Sequence, residues 1–527
     1  MANKENLNKN NLPMILVILD GWGIAPPSKG NAVTLSRTPV MDAITKKYPY
    51  TLLKASGRSV GLPLKQPGNS EAGHMNLGAG RVVDQDAVII TKSINDGTFF
   101  KNPAFLAAIK NVREKKSNLH IMGMLSNGES AHSDPDHLLA LLTLARLQKI
   151  HNVYLHLFTD GRDSPRYDGL KLVQDIKKGF KNGEAIATIM GRYYAMDRRK
   201  KWFNTEKAFN ALVLGKGRKS ESVEAAITES YNRGDSDEFI EPYVIIRKGK
   251  PLPRISNNDS VIFFNLRSDR ARQLAKTFVQ KNFCEKNAAC FIPAKRLKNI
   301  VFIAMTDFGP DLGNIISAFP SADIKDTLPM VLKDVSQAYI AETEKYAHVT
   351  YFFNGGYAGR VNGEEQFMIP SPDVKSYDET PLMSSAALAD AVILNLKEKK
   401  YDFTVLNLAA PDMIGHTGNL KAGIECVAGV DKCLGKIIDA YKKAGGTILV
   451  TADHGNIEEM INLATGEINT EHSSNPVPFV LVNDSLKKIA LRSGRVLSDV
   501  APTALALLGI KKPPLMKGES LIKSHNT

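Results

Sequence analysis

The chain has 527 residues, 68 Lys and Arg against 55 Asp and Glu, a net charge of +13, and is 43% hydrophobic and 23% charged. That balance, with 39 Gly and 26 Pro, is globular and excludes collagen, mucin-like stalks and wholesale disorder. The length predicts two to four domains at about 150 residues each, with cores large enough to need no disulfides.

Cys284, Cys290, Cys426 and Cys433 show no C-x-x-C spacing, so neither a zinc ribbon nor a disulfide scaffold is expected. The opening segment MANKENLNKNNLP is polar and lacks the apolar region of a signal peptide. No run approaches the roughly 18 apolar residues of a membrane span, so a soluble, cytoplasmic protein is expected. The basic excess is spread along the chain, without a long Lys/Arg block or an RNP-type motif.

In chain order, short apolar runs are followed at once by Gly, Asp, Asn or Arg. They are MILVILDGWG (14–23), NLHIMGMLSNGES (118–130), NVYLHLFTDGRD (152–163) and AIATIMGRYY (185–194). SVIFFNLRSDR (260–270), NIVFIAMTDFG (299–309), FTVLNLAAPD (403–412) and GTILVTADHGN (446–456) continue the pattern. Continuous apolar runs are the mark of strands covered on both faces. Helix-length stretches at 137–149, 168–180, 271–282 and 422–444 separate them, and Leu138–Leu147 reads as a core helix. Strand alternating with helix predicts an α/β fold with mostly parallel sheets. A TIM barrel is the alternative, against which the uneven spacing argues.

Ligands of open α/β sheets bind outside the carboxyl ends of strands. At those ends the first and last strands deliver Asp20, Asp412, His416, Asp453 and His454, and the middle strands deliver Arg162, Arg192, Arg267 and Arg270. The sorting predicts a metal-binding domain formed by 1–84 and 318–527, with an anion-binding α/β domain, 85–317, inserted in it.

In DMIGH, Asp412 and His416 are four apart, and one helical turn brings both to one face. Asp453 and His454 follow a strand directly, Asp20 ends one, and His472 lies in the polar loop NTEHSSNP. Mixed Asp/His ligation suits Mn²⁺ or Zn²⁺ and tolerates Mg²⁺. Ser70 lies in QPGNSEAGHMNLGAGR, where EAGHMNLGAG opens a helix. Alone it reads as an N-cap; beside metal, at a helix N-terminus, it is a nucleophile toward phosphate. His74 reads as a ligand or, better, as a supporting residue. GRDSP, GRYYAMDR and NLRSDR supply Arg162 beside Asp163, Arg192, Arg198, Arg267 and Arg270, and SNGESAHSD supplies His132. Several guanidiniums together fit bidentate capture of carboxylate and phosphate. Lys345, ahead of the strand-like run in AETEKYAHVTYFFNGG, looks by itself like a surface lysine.

GNSEAGHMNLGAGR, TDGRDSP, GRYYAMDR, RSDRARQL, AETEKYAHVTYFFNGG, PDMIGHTG, TADHGN and TEHSSNPVPF occur in that order. They closely resemble the cofactor-independent phosphoglycerate mutases of the alkaline phosphatase superfamily, from about Met14 to past Pro513. The resemblance implies an alkaline-phosphatase-like bimetal domain carrying an inserted phosphoglycerate-binding domain. Ser70 would be the phosphorylated nucleophile. One metal ion would be held by Asp412, His416 and His472, the other by Asp20, Ser70, Asp453 and His454. His132, Arg162, Asp163, Arg192, Arg198, Arg267, Arg270 and Lys345 would bind substrate, with Asp163 as acid/base.

The resemblance further implies two divalent metal ions, Mn²⁺ first and Mg²⁺ or another divalent ion as alternatives. It implies interconversion of 3-phosphoglycerate and 2-phosphoglycerate in glycolysis and gluconeogenesis, by a monomer with no nucleic-acid or membrane partner. Asp134, Ala410 and Arg199-Lys200-Lys201 depart from the family pattern and bear on substrate contacts. A phosphopentomutase or phosphatase of the same superfamily is a competing reading, against which the arginine cluster argues. A basic nucleic-acid-binding protein, with strongly salt-dependent affinity, is a second.

Overall fold

The computed structural model describes residues 8, 11–128, 130–309, 311–321 and 323–523. Most of the polar opening segment lies outside the described residues. The chain divides into two compact units, Met1–Gln85 with Ala322–Thr527, and Asp86–Ser321.

In the first unit the apolar run Met14–Leu19 is a strand with all six residues buried. It pairs in parallel with Phe403–Leu408 and with Thr447–Thr451, placing Leu19 opposite Leu408 and Ile18 opposite Thr451. Among the described residues the sheet has eight strands. Their spatial order is Glu365–Ile369, Gln337–Glu342, Phe403–Leu408, Met14–Leu19, Thr447–Thr451, Val477–Val482, Tyr50–Lys54, Arg495–Val496. The first five run parallel, and Val477–Val482 runs antiparallel to both its neighbours. The longest covering helix, Leu420–Lys443, starts at an Asn419 cap and buries Cys426, Val427, Val430, Leu434, Ile437, Ile438 and Tyr441. That three-and-four spacing is one helical face, and Lys442 and Lys443 complement the dipole in its last turn. Truncating the fully buried Leu434 to Ala is expected to cost about 2–5 kcal/mol.

The second unit is built on Leu119–Met124, also buried throughout. From it the chain steps one way through Val153–Thr159 and Ala185–Gly191. The other half steps the opposite way through Ser260–Phe263, Val301–Thr306 and Ile315–Phe319. All of these neighbours pair in parallel. The direction of stepping reverses between Leu119–Met124 and Ser260–Phe263, and a crevice outside the carboxyl ends of strands at such a reversal is where α/β sheets bind ligands.

The eight strands and four helices read from the sequence are all present, in an α/β fold with two mostly parallel sheets. Both sheets are open, with distinct edge strands, so the barrel alternative is overturned. The run after Lys345 is not a strand but a wide helical turn, His348–Phe352. Val349 and Phe353, four apart, are fully buried, while Tyr351 between them is exposed. Its β-branched and aromatic residues suit a strand, but its burial has a helical period.

Candidate active site

In the first unit the carboxyl ends of three adjacent parallel strands carry Asp20, Asp412 and Asp453. Asp20 directly follows Met14–Leu19, Asp453 lies two residues past Thr447–Thr451, and Asp412 is on the short helix Ala410–Gly415 after Phe403–Leu408. His416 ends that helix, putting its Nε2 3.5 Å from Asp412 Oδ1. Gly21 has a positive φ, and a Cβ there would lie 2.7 Å from Asp412 Cα. The turn after the first strand can come this close only without a side chain.

Ser70 is the first residue of the helix Ser70–Ala79, and its N-cap is Asn69, whose side chain accepts from Ala72 N. The reading of Ser70 as the cap is therefore displaced by one residue, because Asn69 takes that task. The Ser70 hydroxyl is left facing Lys345 Nζ at 2.6 Å, His454 Nε2 at 2.9 Å and Asp20 Oδ1 at 3.4 Å. Helix and strand end meet closely, since a Cβ on Gly73 would lie 2.6 Å from the Asp453 carbonyl oxygen.

Lys345 is not a surface lysine. It is 4% exposed and donates to Asp20 Oδ1 at 2.7 Å and to Asp412 Oδ2 at 2.6 Å. Burial alone would lower its pKa, but the charges of Asp20, Asp412 and Asp453 hold it above the ordinary lysine value. Burial, followed by repulsion from Asp453, pushes Asp20 up.

Three features of this cluster fit divalent cations. First, three buried carboxylates face one ammonium, and a buried charge excess of this sign is costly unless cations balance it. Second, the histidines present lone pairs. His416 Nδ1 lies 2.8 Å from the Thr470 carbonyl, His472 Nδ1 2.8 Å from that of Gly68, and His454 Nδ1 3.2 Å from that of Gly455. Those carbonyls assign the proton to Nδ1 in each ring, leaving Nε2 free. Yet His416 and His472 Nε2 are 3.0 Å apart, and His472 Nε2 is 3.3 Å from Asp412 Oδ1. Lone pairs facing one another at that range call for a cation. Third, among the described residues the buried Asp453 Oδ2 has no well-aligned hydrogen bond, its neighbours being His74 Nδ1 at 3.2 Å and His454 Nε2 at 3.4 Å. Asp412, His416 and His472 form one possible ligand group, and Asp20, Asp412 and His454 another, their ligand atoms within 4.8 Å of one another.

His74 also stands near Asp20 and Asp453, but both its ring nitrogens are engaged. Nδ1 faces the Ser70 carbonyl at 2.9 Å, and Nε2 faces Asn407 Nδ2 at 2.9 Å. It supports the cluster rather than offering it a lone pair. Asn407 also donates to Asp20 Oδ2 at 2.6 Å. Sequence reasoning passed over Asn407, although an amide inside the apolar strand FTVLNL was a signal. It also passed over Glu458, which is 1% exposed and accepts from Gly23 N at 3.0 Å, Asn456 N at 2.8 Å, Asn475 Nδ2 at 3.0 Å and the Ser473 hydroxyl. It ties the turns that carry Asp20 and His454 to the loop that carries His472.

In the second unit Arg162, Arg192, Arg198 and Arg270 line one cavity of about 200 Å³. Arg199 and Lys201, which depart from the family pattern, line it too. Burial first, then the charges of Arg198, Arg192 and Arg162, lower Arg270 to about 10. Such mutual repulsion is relieved by an anion. Arg192 is nearly buried and bridges Asp160 and Asp163, its Nη1 being 3.0 Å from Asp163 Oδ2. Burial would raise Asp163, but Arg192 and the Ser130 hydroxyl outweigh it and hold the carboxyl below its usual value.

His132 Nε2 stands 4.0 Å from Asp163 Oδ2. Burial, then Arg192, lower His132 to about 3, so its ring is neutral. Arg267 caps the helix Ser268–Val279 instead of joining it, with Nε 3.6 Å from Asp269 Oδ1. Arg267 thus stands one residue before the helix proper, and Arg270, on its first turn, is the one that lines the cavity. Asp134 caps the helix Pro135–Leu147, and Ala410 is a buried helix residue.

A family model for the metalloenzyme superfamily matches residues 12–512. The chain is 47% identical to the 2,3-bisphosphoglycerate-independent phosphoglycerate mutase of Clostridioides difficile over 97% of this chain and 99% of that one. It is 46% identical to the corresponding protein of Methanosarcina acetivorans over 97% and 98%. The crystal structure of Leishmania mexicana phosphoglycerate mutase at low cobalt concentration covers 98% of each chain at 30% identity, with a TM-score of 0.77. With the superfamily match and these near-complete alignments together, the chain belongs to the 2,3-bisphosphoglycerate-independent phosphoglycerate mutases of the metalloenzyme superfamily and is an enzyme, an isomerase.

Proposed function

We propose that the chain interconverts 3-phosphoglycerate and 2-phosphoglycerate, without 2,3-bisphosphoglycerate, through a phosphoserine at Ser70. The observation that carries this reading is the setting of the Ser70 hydroxyl, a primary alcohol on the first turn of a helix within 3 Å of an ammonium and an imidazole. Lys345 Nζ stabilises the Ser70 oxygen as an alkoxide, its proton having passed to solvent before the cycle begins, and the first-turn N–H groups donate hydrogen bonds to the incoming phosphoryl oxygens. Asp412, His416 and His472 would hold one divalent ion, and Asp20, Ser70, Asp453 and His454 a second. Bound there, Mn²⁺, or Mg²⁺ in its place, would supply positive charge to the serine oxygen and to the phosphoryl group.

Arg162, Arg192, Arg198, Arg267 and Arg270 bind the carboxylate and phosphate of phosphoglycerate, with Arg192 beside Asp163 and the charges of Arg192 and Arg267 acting on His132. Glycerate is retained after the first transfer. Asp163 takes a proton from the hydroxyl about to be phosphorylated and returns it to the oxygen the phosphoryl group has left. The proton count then closes over the cycle, and Ser70 ends as it began. The arginine cavity favours this over a phosphopentomutase, whose sugar offers no carboxylate.

Rapid quenching with substrate followed by peptide mass spectrometry tests the reading. Phosphate on Ser70 is expected. Phosphohistidine, or no phosphopeptide with turnover intact, would overturn it.

A further inference from the structure

The contacts on the Asp163 side chain are one-sided. Ser130 Oγ donates to Oδ2 at 2.7 Å, Arg192 Nη1 lies 3.0 Å from Oδ2, and His132 Nε2 lies 4.0 Å from Oδ2. Among the described residues none of these contacts falls on Oδ1, and the side chain is 32% exposed. One oxygen is tethered and the other is open.

The direction of the Ser130 bond follows from its surroundings. Ser130 is 8% exposed and its Oγ already accepts from His132 N at 3.1 Å. A hydroxyl has one hydrogen, so that hydrogen goes to Asp163. The other tether is held from behind. Asp160, 1% exposed, takes the same Arg192 Nη1 and accepts from Asp163 N at 3.2 Å through Oδ1. Among the described residues the charged and titratable groups in contact with Asp163 are Arg192 from the end of Ala185–Gly191, Asp160 from its own turn and His132 from the loop after Leu119–Met124. Arg267 and Asp269 act on His132 from the start of the helix Ser268–Val279.

We propose that Ser130 is a positioning residue that fixes Asp163 Oδ2, so that Oδ1 is the atom that takes and returns the glycerate proton. The inference rests on Asp163 being the acid/base. At Oδ1 the O–H bond of the accepting hydroxyl breaks as its O–P bond forms, and the proton moves to the carboxylate. It then moves from Oδ1 to the departed oxygen, and no other reagent is required. A carboxylate free to rotate about its Cβ–Cγ bond would spend part of its time with neither oxygen aligned on the glycerate hydroxyl. Loss of the tether therefore lowers kcat and leaves ground-state binding alone.

The test uses the full-length protein at saturating Mn²⁺. Ser130→Ala is expected to lose roughly 10- to 100-fold in kcat, the range of one hydrogen bond to a charged group, with the KM for 3-phosphoglycerate within about twofold. Its acid limb in kcat should move to higher pH, because a bond that favours the ionised carboxyl is gone. Ser130→Thr, which keeps the hydroxyl, should recover both. An unmoved acid limb with parental kcat, or a loss that threonine does not rescue, overturns the inference. Asp163→Asn separates it from the reading beneath it. Parental turnover in that variant would remove Asp163 from the chemistry altogether. An inactive Asp163→Asn with a parental Ser130→Ala would remove only the positioning role.

Discussion

Arg270→Ala separates substrate retention from folding. Arg270 lines the cavity with Arg162, Arg192 and Arg198, and burial together with those three charges lowers its pKa to about 10. In the empty protein its charge is opposed. With phosphoglycerate bound it would make a charge-assisted contact worth about 1.5–3 kcal/mol. Its loss should raise the KM for 3-phosphoglycerate about 10- to 150-fold. Thermal stability should stay level or rise, because a repelled cation has been removed. A mutase must also hold glycerate between two transfers, so the variant should release more free phosphate per 2-phosphoglycerate formed. Coupled enolase absorbance reads one product and a molybdate assay the other. A KM within twofold of the parent, with an unchanged product ratio, would refute the reasoning, and a fall in stability would mean that Arg270 supports the fold.

Ser70→Ala should abolish turnover with an unchanged circular dichroism spectrum, since the lost hydroxyl makes no packing contact of size; measurable mutase activity would remove it from the mechanism. Asp453→Asn should reduce bound metal from two ions per chain to about one, counted by plasma mass spectrometry after gel filtration, because an amide brings no charge to a cation; full occupancy would assign Asp453 to loop shape alone. His137 is buried and its pKa is lowered to about 4, first by burial. The folded state then binds fewer protons than the unfolded chain, so its contribution is complete above pH 6.5 and shrinks as pH falls toward 4. The loss between pH 7 and pH 5 is about 2 kcal/mol. Urea unfolding followed at Trp202 should show that loss, His137→Gln should remove it, and an equal pH slope in both proteins would contradict the assignment.

The core strands were legible because parallel strands covered on both faces are continuous apolar runs, as in MILVIL and TILVT. Tyr50–Lys54 was not, since only Thr51 and Leu53 are buried and its alternation is short. Gln337–Glu342 begins and ends in buried polar residues, which break an apolar count. Asp20, Asp412 and Asp453 could be read because each follows a strand, where the chain must leave the sheet. The placement of Lys345 could not, since only the fold brings it to Asp20, 325 positions away. Asp160 and Ser130 stayed hidden for a similar reason. Each looks like an ordinary turn residue until three separate strand ends converge on Asp163.

Turnover of the pure protein on 3-phosphoglycerate, with Mn²⁺ present and no 2,3-bisphosphoglycerate added, bears most directly on the proposed reaction. The account predicts 2-phosphoglycerate at a steady rate, loss of that rate on adding EDTA, and its return when divalent metal is restored. No 2-phosphoglycerate with metal present, a rate indifferent to EDTA, or one that appears only when 2,3-bisphosphoglycerate is supplied would contradict it.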